Sequence, residues 1–201
     1  MPSIYQLKPA FQRLLRPLTN GLAAAGVTAN QVTVAALVLS CIVGGIIASG
    51  PDNRSVLLLV PLALFVRMAL NAIDGMLARE HNMRSRLGAV LNELGDVGAD
   101  AALYLPLALV PGLNPALVAL LVVLGIIVEM TGVIAVQIGA QRNYAGPMGK
   151  SDRAFLFGLV TFLLAAGVPA GQWCDVLLGV GTALSAVTVV NRARQGLAEA
   201  Q

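Results

Sequence analysis

Asn71-Ala72-Ile73-Asp74-Gly75-Met76-Leu77-Ala78-Arg79 and, after eight residues, Gly88-Ala89-Val90-Leu91-Asn92-Glu93-Leu94-Gly95-Asp96 set acids and amides into two otherwise apolar runs. In a helix, Asn71, Asp74, Gly75 and Ala78 fall at i, i+3, i+4 and i+7, so they share one face. Gly88, Asn92, Asp96 and Asp100 recur every four residues and make a second stripe. Charges inside apolar, membrane-length helices are costly and default to functional candidates. Two such stripes on helices joined by a short connection can face each other and form a pocket of oxygen donors. Hard divalent cations such as Mg²⁺ take oxygen ligands and share them with substrate phosphates. Gly75, Ala78 and Gly88 remove bulk where a ligand must approach the backbone, although small residues also serve close helix packing.

The sequence around these stripes decides the fold class. A membrane-spanning helix needs about 20 mostly apolar residues. Such runs occupy residues 32–49, 55–78, 88–110, 115–138, 154–168 and 173–190. They are broken at Gly50-Pro51-Asp52-Asn53, residues 79–86, Pro111-Gly112-Leu113-Asn114, residues 142–153 and Gly167-Val168-Pro169-Ala170-Gly171. The chain is 57% hydrophobic and 11% charged, with a mean hydropathy of +0.81, whereas a soluble domain carries about a quarter charged residues. A bilayer must therefore solvate much of the surface. The expectation is an all-α integral membrane protein with six transmembrane helices, forming a single domain over residues 1–201.

Basic residues orient this topology, because Lys and Arg accumulate on cytoplasmic loops. With the N-terminus cytoplasmic, Lys8, Arg13, Arg16, Arg79, Arg84, Arg86, Arg142, Lys150, Arg153, Arg192 and Arg194 all fall inside. Of the 13 basic residues only Arg54 lies outside, while Arg67 falls within the second apolar run. Both termini are thus expected in the cytoplasm. Residues 4–18 alternate apolar and basic faces, which predicts a short N-terminal amphipathic helix at the membrane interface. This stretch lacks the apolar core of a cleavable signal peptide.

Several function classes fall away. A net charge of +3 without aromatic-basic interleaving gives no case for nucleic acid. Cys41 and Cys174 sit in apolar runs and read as small buried hydrophobes. His81 is the only histidine, which excludes histidine-rich zinc sites and argues against a Ser-His triad. The polar residues gather at one side of the membrane and line no path through both leaflets, which argues against a channel or transporter.

The stretch from Asn71 to Asp96 resembles the signature of the CDP-alcohol phosphatidyltransferase family, D-x2-D-G-x2-A-R-x8-G-x3-D-x3-D. Six of its eight fixed positions match with the spacing intact. Gly26-Val27-Thr28-Ala29-Asn30-Gln31-Val32-Thr33 is similar to the segment that precedes the first helix in that family. The resemblance implies a transferase that moves a phosphatidyl group from CDP-diacylglycerol to an alcohol with release of CMP. It implies one or two Mg²⁺ or Mn²⁺ ions held by Asn71, Asp74, Asn92 and Asp96, with Asp96 as the base that deprotonates the acceptor hydroxyl. It also implies that Gly75, Ala78, Arg79 and Gly88 line the nucleotide site, that this site faces the cytoplasm, and that the protein is a homodimer.

The first and third signature aspartates are Asn71 and Asn92 here, so two negative charges are missing. An amide oxygen still ligates a hard cation. One metal suffices, or Glu93, Asp100 and Glu129 supply further carboxylates. The alternative is a catalytically weak or inactive relative that binds CDP-lipid or partners another lipid enzyme.

Arg142-Asn143-Tyr144-Ala145-Gly146-Pro147-Met148-Gly149-Lys150-Ser151-Asp152-Arg153 sets three cations around a glycine-rich turn. The spacing is not that of a P-loop, but the arrangement suits a phosphate. In the family, basic residues near this position hold phosphorylated acceptors. Arg142, Lys150 and Arg153 are therefore expected to bind a polyol phosphate such as glycerol 3-phosphate. The competing reading is ordinary positive-inside charge against membrane lipid headgroups.

Overall fold

The computed structural model describes residues 4–200, which among themselves form seven α-helices and no strand. These are α1 (Ile4–Ala24), α2 (Ala29–Ser49), α3 (Leu59–Glu80), α4 (Arg86–Tyr104), α5 (Pro115–Gln137), α6 (Lys150–Ala165) and α7 (Gln172–Glu199). Short 3₁₀ turns at Arg54–Leu58 and Leu105–Leu109 precede α3 and follow α4.

The helix boundaries follow from capping chemistry. Gly26 adopts φ +78° and closes α1, with Val27 N–H on Leu22 O at 2.9 Å and Gly26 N–H on Ala23 O at 3.0 Å, the paired bonds of a Schellman end. Thr28 and Gln31 then form a reciprocal box that opens α2. Thr28 N–H donates to Gln31 Oε1 at 2.8 Å and Gln31 N–H to Thr28 Oγ1 at 3.3 Å. Ser85 opens α4 by accepting Gly88 N–H at 2.9 Å. Asn114 opens α5 by accepting from Ala116 and Leu117 N–H, with Pro115 at the first helical position.

The helices at Ala29–Ser49, Arg54–Glu80, Pro115–Gln137 and Gln172–Glu199 are long and apolar enough to cross a membrane. The other two expected spans are helical but fall short for physical reasons. α4 has 19 residues and carries Arg86, Glu93, Asp96 and Asp100. α6 has 16 residues, about 24 Å at 1.5 Å per residue. The buried hydroxyls of Ser40, Thr161, Ser185 and Thr188 each bond a carbonyl on their own helix, so none of these four donors is stranded in an apolar setting.

The chain forms two compact units, one from Met1–Cys41 and Leu62–Ala99, the other from Ile42–Pro61 and Asp100–Gln201. In the first, Ala29, Val32, Ile73 and Leu77 form a buried core flanked by Leu15, Leu22 and Met83. α1 continues beyond the expected residue 18 to Ala24, presents Leu14 and Leu18 to the exterior, and buries Thr19. Arg16 Nη2 meets Glu80 Oε1 at 3.1 Å, and His81 Nε2 lies 3.2 Å from Asn20 Oδ1, which ties α1 to the end of α3.

In the second unit α5 packs along α7. α5 is apolar nearly all round, yet its two faces separate on burial. Leu120, Val123, Ile127, Met130 and Ile134 are exposed, whereas Leu121, Gly125, Val128, Glu129, Gly132 and Ala135 are buried. Tyr104 and Phe157 stack with ring centroids 4.2 Å apart. α7 does not stop where its apolar run ends at Val190 but continues to Glu199.

Candidate functional site

A cavity of about 430 Å³ opens in the first unit. α2 contributes Asn30 and Thr33; α3 contributes Asp74, Gly75, Ala78 and Arg79; α4 contributes Gly88, Asn92 and Glu93. Met83, Arg84 and Ser85 line it from the connection between α3 and α4. The two caps described above place these side chains. The Thr28–Gln31 box starts α2 where Asn30 and Thr33 reach the cleft, and the Ser85 cap starts α4 with Gly88 on the cleft side.

Thr33 Oγ1 donates to Asp74 Oδ2 at 2.9 Å, orienting a carboxylate that is only 7% exposed. The glycines answer to steric demand. A Cβ at position 88 would stand 2.7 Å from Asn30 Oδ1 and 3.0 Å from Ser85 Oγ. At position 75 it would meet the Arg79 guanidinium at 3.1 Å, because Arg79 folds back over the turn before it. The cleft therefore combines a guanidinium and a buried carboxylate with two glycines whose missing side chains let Asn30, Ser85 and Arg79 pack close.

Of the residues expected here, Asp74, Gly75, Ala78, Arg79, Gly88, Asn92 and Glu93 come together. Asn71 and Asp96 lie half-buried on α3 and α4 of the same unit, outside the lining of this cavity. Among the described residues no three His, Cys, Asp or Glu side chains gather as a ready-made cage. The donor set of two carboxylates and an amide nonetheless fits a hard divalent cation, since Mg²⁺ is usually held by one or two carboxylates and completed by substrate phosphates.

The second unit holds a buried ion cluster. Arg153 Nη2 contacts Asp100 Oδ2 at 3.4 Å and Glu129 Oε1 at 3.2 Å. Arg142 Nη2 and Arg192 Nη1 reach Glu129 Oε2 at 3.3 and 3.4 Å. Arg192 also donates to Val128 O at 2.8 Å and to Ala145 O at 3.1 Å. The loop before α6 is fastened to α7, with Met148 N–H on Thr188 Oγ1 at 2.9 Å and Asn143 Nδ2 on Gln195 Oε1 at 3.1 Å. Expected residues Arg142, Arg153, Asp100 and Glu129 thus meet, while Lys150 is half-buried at the start of α6.

Arg192 was expected only as a topology-setting charge, yet it is 2% exposed and joins the cluster. A signal for it does exist in the sequence. Gly181, Ser185, Thr188, Arg192 and Gly196 recur at helical spacing and form the buried face of α7.

Residues 26–190 match the family model described as CDP-alcohol phosphatidyltransferase. The chain is 47% identical over 195 residues to the inner membrane protein YnbA of Escherichia coli (strain K12), covering 97% of this chain and 96% of that one. Its fold is similar to crystal structures of Mycobacterium tuberculosis phosphatidylinositol phosphate synthase (PgsA1). The form with CDP-DAG bound superposes with a TM-score of 0.76 at 20% identity, covering 92% of this chain and 94% of that chain. The form with manganese and citrate gives 0.77 at 19% identity, covering 90% and 88%. With its family model matched over most of its length and a full-length relative at this identity, the chain belongs to the CDP-alcohol phosphatidyltransferase family.

Proposed function

We propose that this protein synthesises a phospholipid by moving the phosphatidyl group of CDP-diacylglycerol onto an alcohol acceptor, with release of CMP. The observation that carries this reading is the convergence of Asp74, Gly75, Ala78, Arg79, Gly88 and Asn92 on one cleft. Residues at six of the eight family signature positions thus line a cavity with room for a nucleotide.

Each residue has a chemical task. Gly75, Ala78 and Gly88 keep bulk off the cleft wall beside the nucleotide, and Arg79 presents a guanidinium to its pyrophosphate. Asp74, Asn92 and Glu93 are the donors that would hold a divalent cation, Mg²⁺ or Mn²⁺, with Asn71 and Asp96 on the same two helices. Such an ion, when bound, neutralises the pyrophosphate charge. Asp96 accepts the proton of the acceptor hydroxyl as that oxygen bonds to the phosphatidyl phosphorus. The bond from phosphorus to the CMP oxygen breaks, and CMP leaves. That the Mycobacterium tuberculosis synthase was crystallised with CDP-DAG and with manganese supports this assignment.

The acceptor in this reading is a polyol phosphate such as glycerol 3-phosphate, bound by Arg142, Lys150 and Arg153 and joined by Arg192. The chain acts as one membrane domain that crosses the bilayer six times, with both termini and the cleft on the cytoplasmic side. α1 lies along the interface, and the working form is a homodimer.

A second reading, a relative that holds CDP-lipid without turnover, is favoured by Asn71 and Asn92, which remove two carboxylates from the signature. Product analysis decides between them. Purified protein with CDP-diacylglycerol, Mg²⁺ or Mn²⁺ and a panel of alcohols and polyol phosphates should give a new phospholipid with one phosphorylated acceptor. If no acceptor yields product until Asn71→Asp and Asn92→Asp are introduced together, the non-catalytic reading holds instead.

A further inference from the structure

In the second unit three guanidiniums share one carboxylate. Both Glu129 oxygens are engaged, Oε1 by Arg153 and Oε2 by Arg142 and Arg192. Asp100 adds a second carboxylate, with its Oδ2 3.4 Å from Arg153 Nη2. Arg153 Nη1 is buried without a hydrogen-bond partner, on a side chain only 3% exposed. A buried guanidinium nitrogen left unmatched is costly.

α5 is shaped around this cluster. Gly125 and Gly132 lie one turn to either side of Glu129. A Cβ at position 125 would stand 2.8 Å from Arg153 Nε, and one at 132 would stand 3.1 Å from Arg192 Nη1. Arg142 is the outward member, with its side chain 21% exposed and its guanidinium 4.9 Å from the ring centre of exposed Tyr144. Arg192 also donates to main-chain carbonyls, at Val128 and Ala145. A carboxylate offers two oxygens, whereas a phosphate monoester offers three and up to two charges. That third oxygen matches the vacant Nη1 of Arg153.

We propose that Glu129 is a resident stand-in for an acceptor phosphate: its carboxylate holds the arginine cluster together when no anion is bound, and a phosphate monoester must take Arg142 and Arg153 from it to bind. This rests on the reading of the basic loop as the acceptor site. Glu129 then sets specificity. A neutral alcohol cannot displace a carboxylate from three guanidiniums, and a phosphate monoester can, so the residue filters acceptors while lowering their affinity.

Anion-dependent thermal stabilisation of the purified full chain, without CDP-lipid, tests this directly. Its outcome is therefore independent of whether the protein turns over. Inorganic phosphate and glycerol 3-phosphate are titrated in detergent, and in a separate arm phosphatidic acid is added in phosphatidylcholine nanodiscs. Glu129→Gln should bind both soluble phosphates at least about tenfold more tightly than wild type, because an occupying charge has been removed. Adding Arg153→Gln should abolish the gain. Where Glu129→Gln folds only when phosphate is present, that rescue supports the proposal. Where it does not fold at all, Glu129→Asp, whose carboxylate is withdrawn by one methylene, should respond to phosphate more strongly than wild type. Equal phosphate response in wild type and folded variants overturns the proposal. So does stabilisation by phosphatidic acid with none by the soluble phosphates, which would assign the cluster to a lipid headgroup.

Discussion

Thr33 Oγ1 donates to Asp74 Oδ2 across 2.9 Å, so the buried acid of the cleft is oriented from α2, a helix that carries none of the signature residues. Thr33→Val keeps the shape and removes the donor. The lost hydrogen bond should cost about 1 kcal/mol. The functional effect should be larger on metal than on lipid. In a Mg²⁺ titration of CMP release, half-saturation should move up several-fold, with little change in KM for CDP-diacylglycerol.

The two cleft glycines should separate on substitution. Gly88→Ala brings a methyl against Asn30 Oδ1 and against Ser85 Oγ, which is itself held by the helix cap. Gly75→Ala meets only the far end of Arg79, which can swing away. Gly88→Ala should therefore raise KM for CDP-diacylglycerol about tenfold, in line with an overpacking cost of roughly 1–3 kcal/mol, and Gly75→Ala clearly less. Steady-state kinetics on the two variants side by side checks the order.

Buried and exposed ion pairs should differ in weight. Arg192→Leu leaves Glu129 short of a partner and removes the donor to Val128 O and Ala145 O. Breaking such a buried pair costs about 3–5 kcal/mol. Arg16→Leu removes a half-exposed contact with Glu80 and should cost below about 1 kcal/mol. Thermal unfolding in one detergent should show a large fall in Tm for the first and a shift near experimental error for the second.

Gly132→Ala tests the packing against the ion cluster while every charged residue is kept, its methyl also coming 3.1 Å from Arg192 Nη1. Its methyl would approach Asn143 O to 2.5 Å, a backbone atom that cannot turn aside. The loop that carries Arg142 must then move, and the variant should lose about 1–3 kcal/mol of stability. Limited proteolysis should find residues 138–149 cut earlier than in wild type.

The cleft was legible in the sequence because its residues repeat locally. Asp74, Gly75 and Ala78 share a helical face, and Gly88 and Asn92 share another. Spacing of three and four residues is enough to bring each set together. The arginine cluster was legible only in pieces. Arg142, Arg153 and Arg192 stand 13, 24 and 63 residues from Glu129, and no periodicity links separations of that kind. Arg192 reads only as a cytoplasmic charge because the apolar run ends at Val190, although α7 continues past it. Hydropathy follows lipid contact and says little about where hydrogen bonding stops. The same distinction bears on α4, where residues 88–110 read as a span although the helix, with its four charged residues, is not among those apolar enough to cross a membrane.

The central claim is phosphatidyl transfer through the α3–α4 acids. Its most direct test is CMP release from CDP-diacylglycerol by purified protein with Mg²⁺ or Mn²⁺ and a phosphorylated acceptor, wild type beside Asp96→Asn. Release should require both metal and acceptor, and should fall about 10²–10⁴-fold when the base is removed while CDP-diacylglycerol still binds. Wild-type protein that binds CDP-diacylglycerol but releases no CMP with any acceptor, or an Asp96→Asn variant as active as wild type, would contradict that claim.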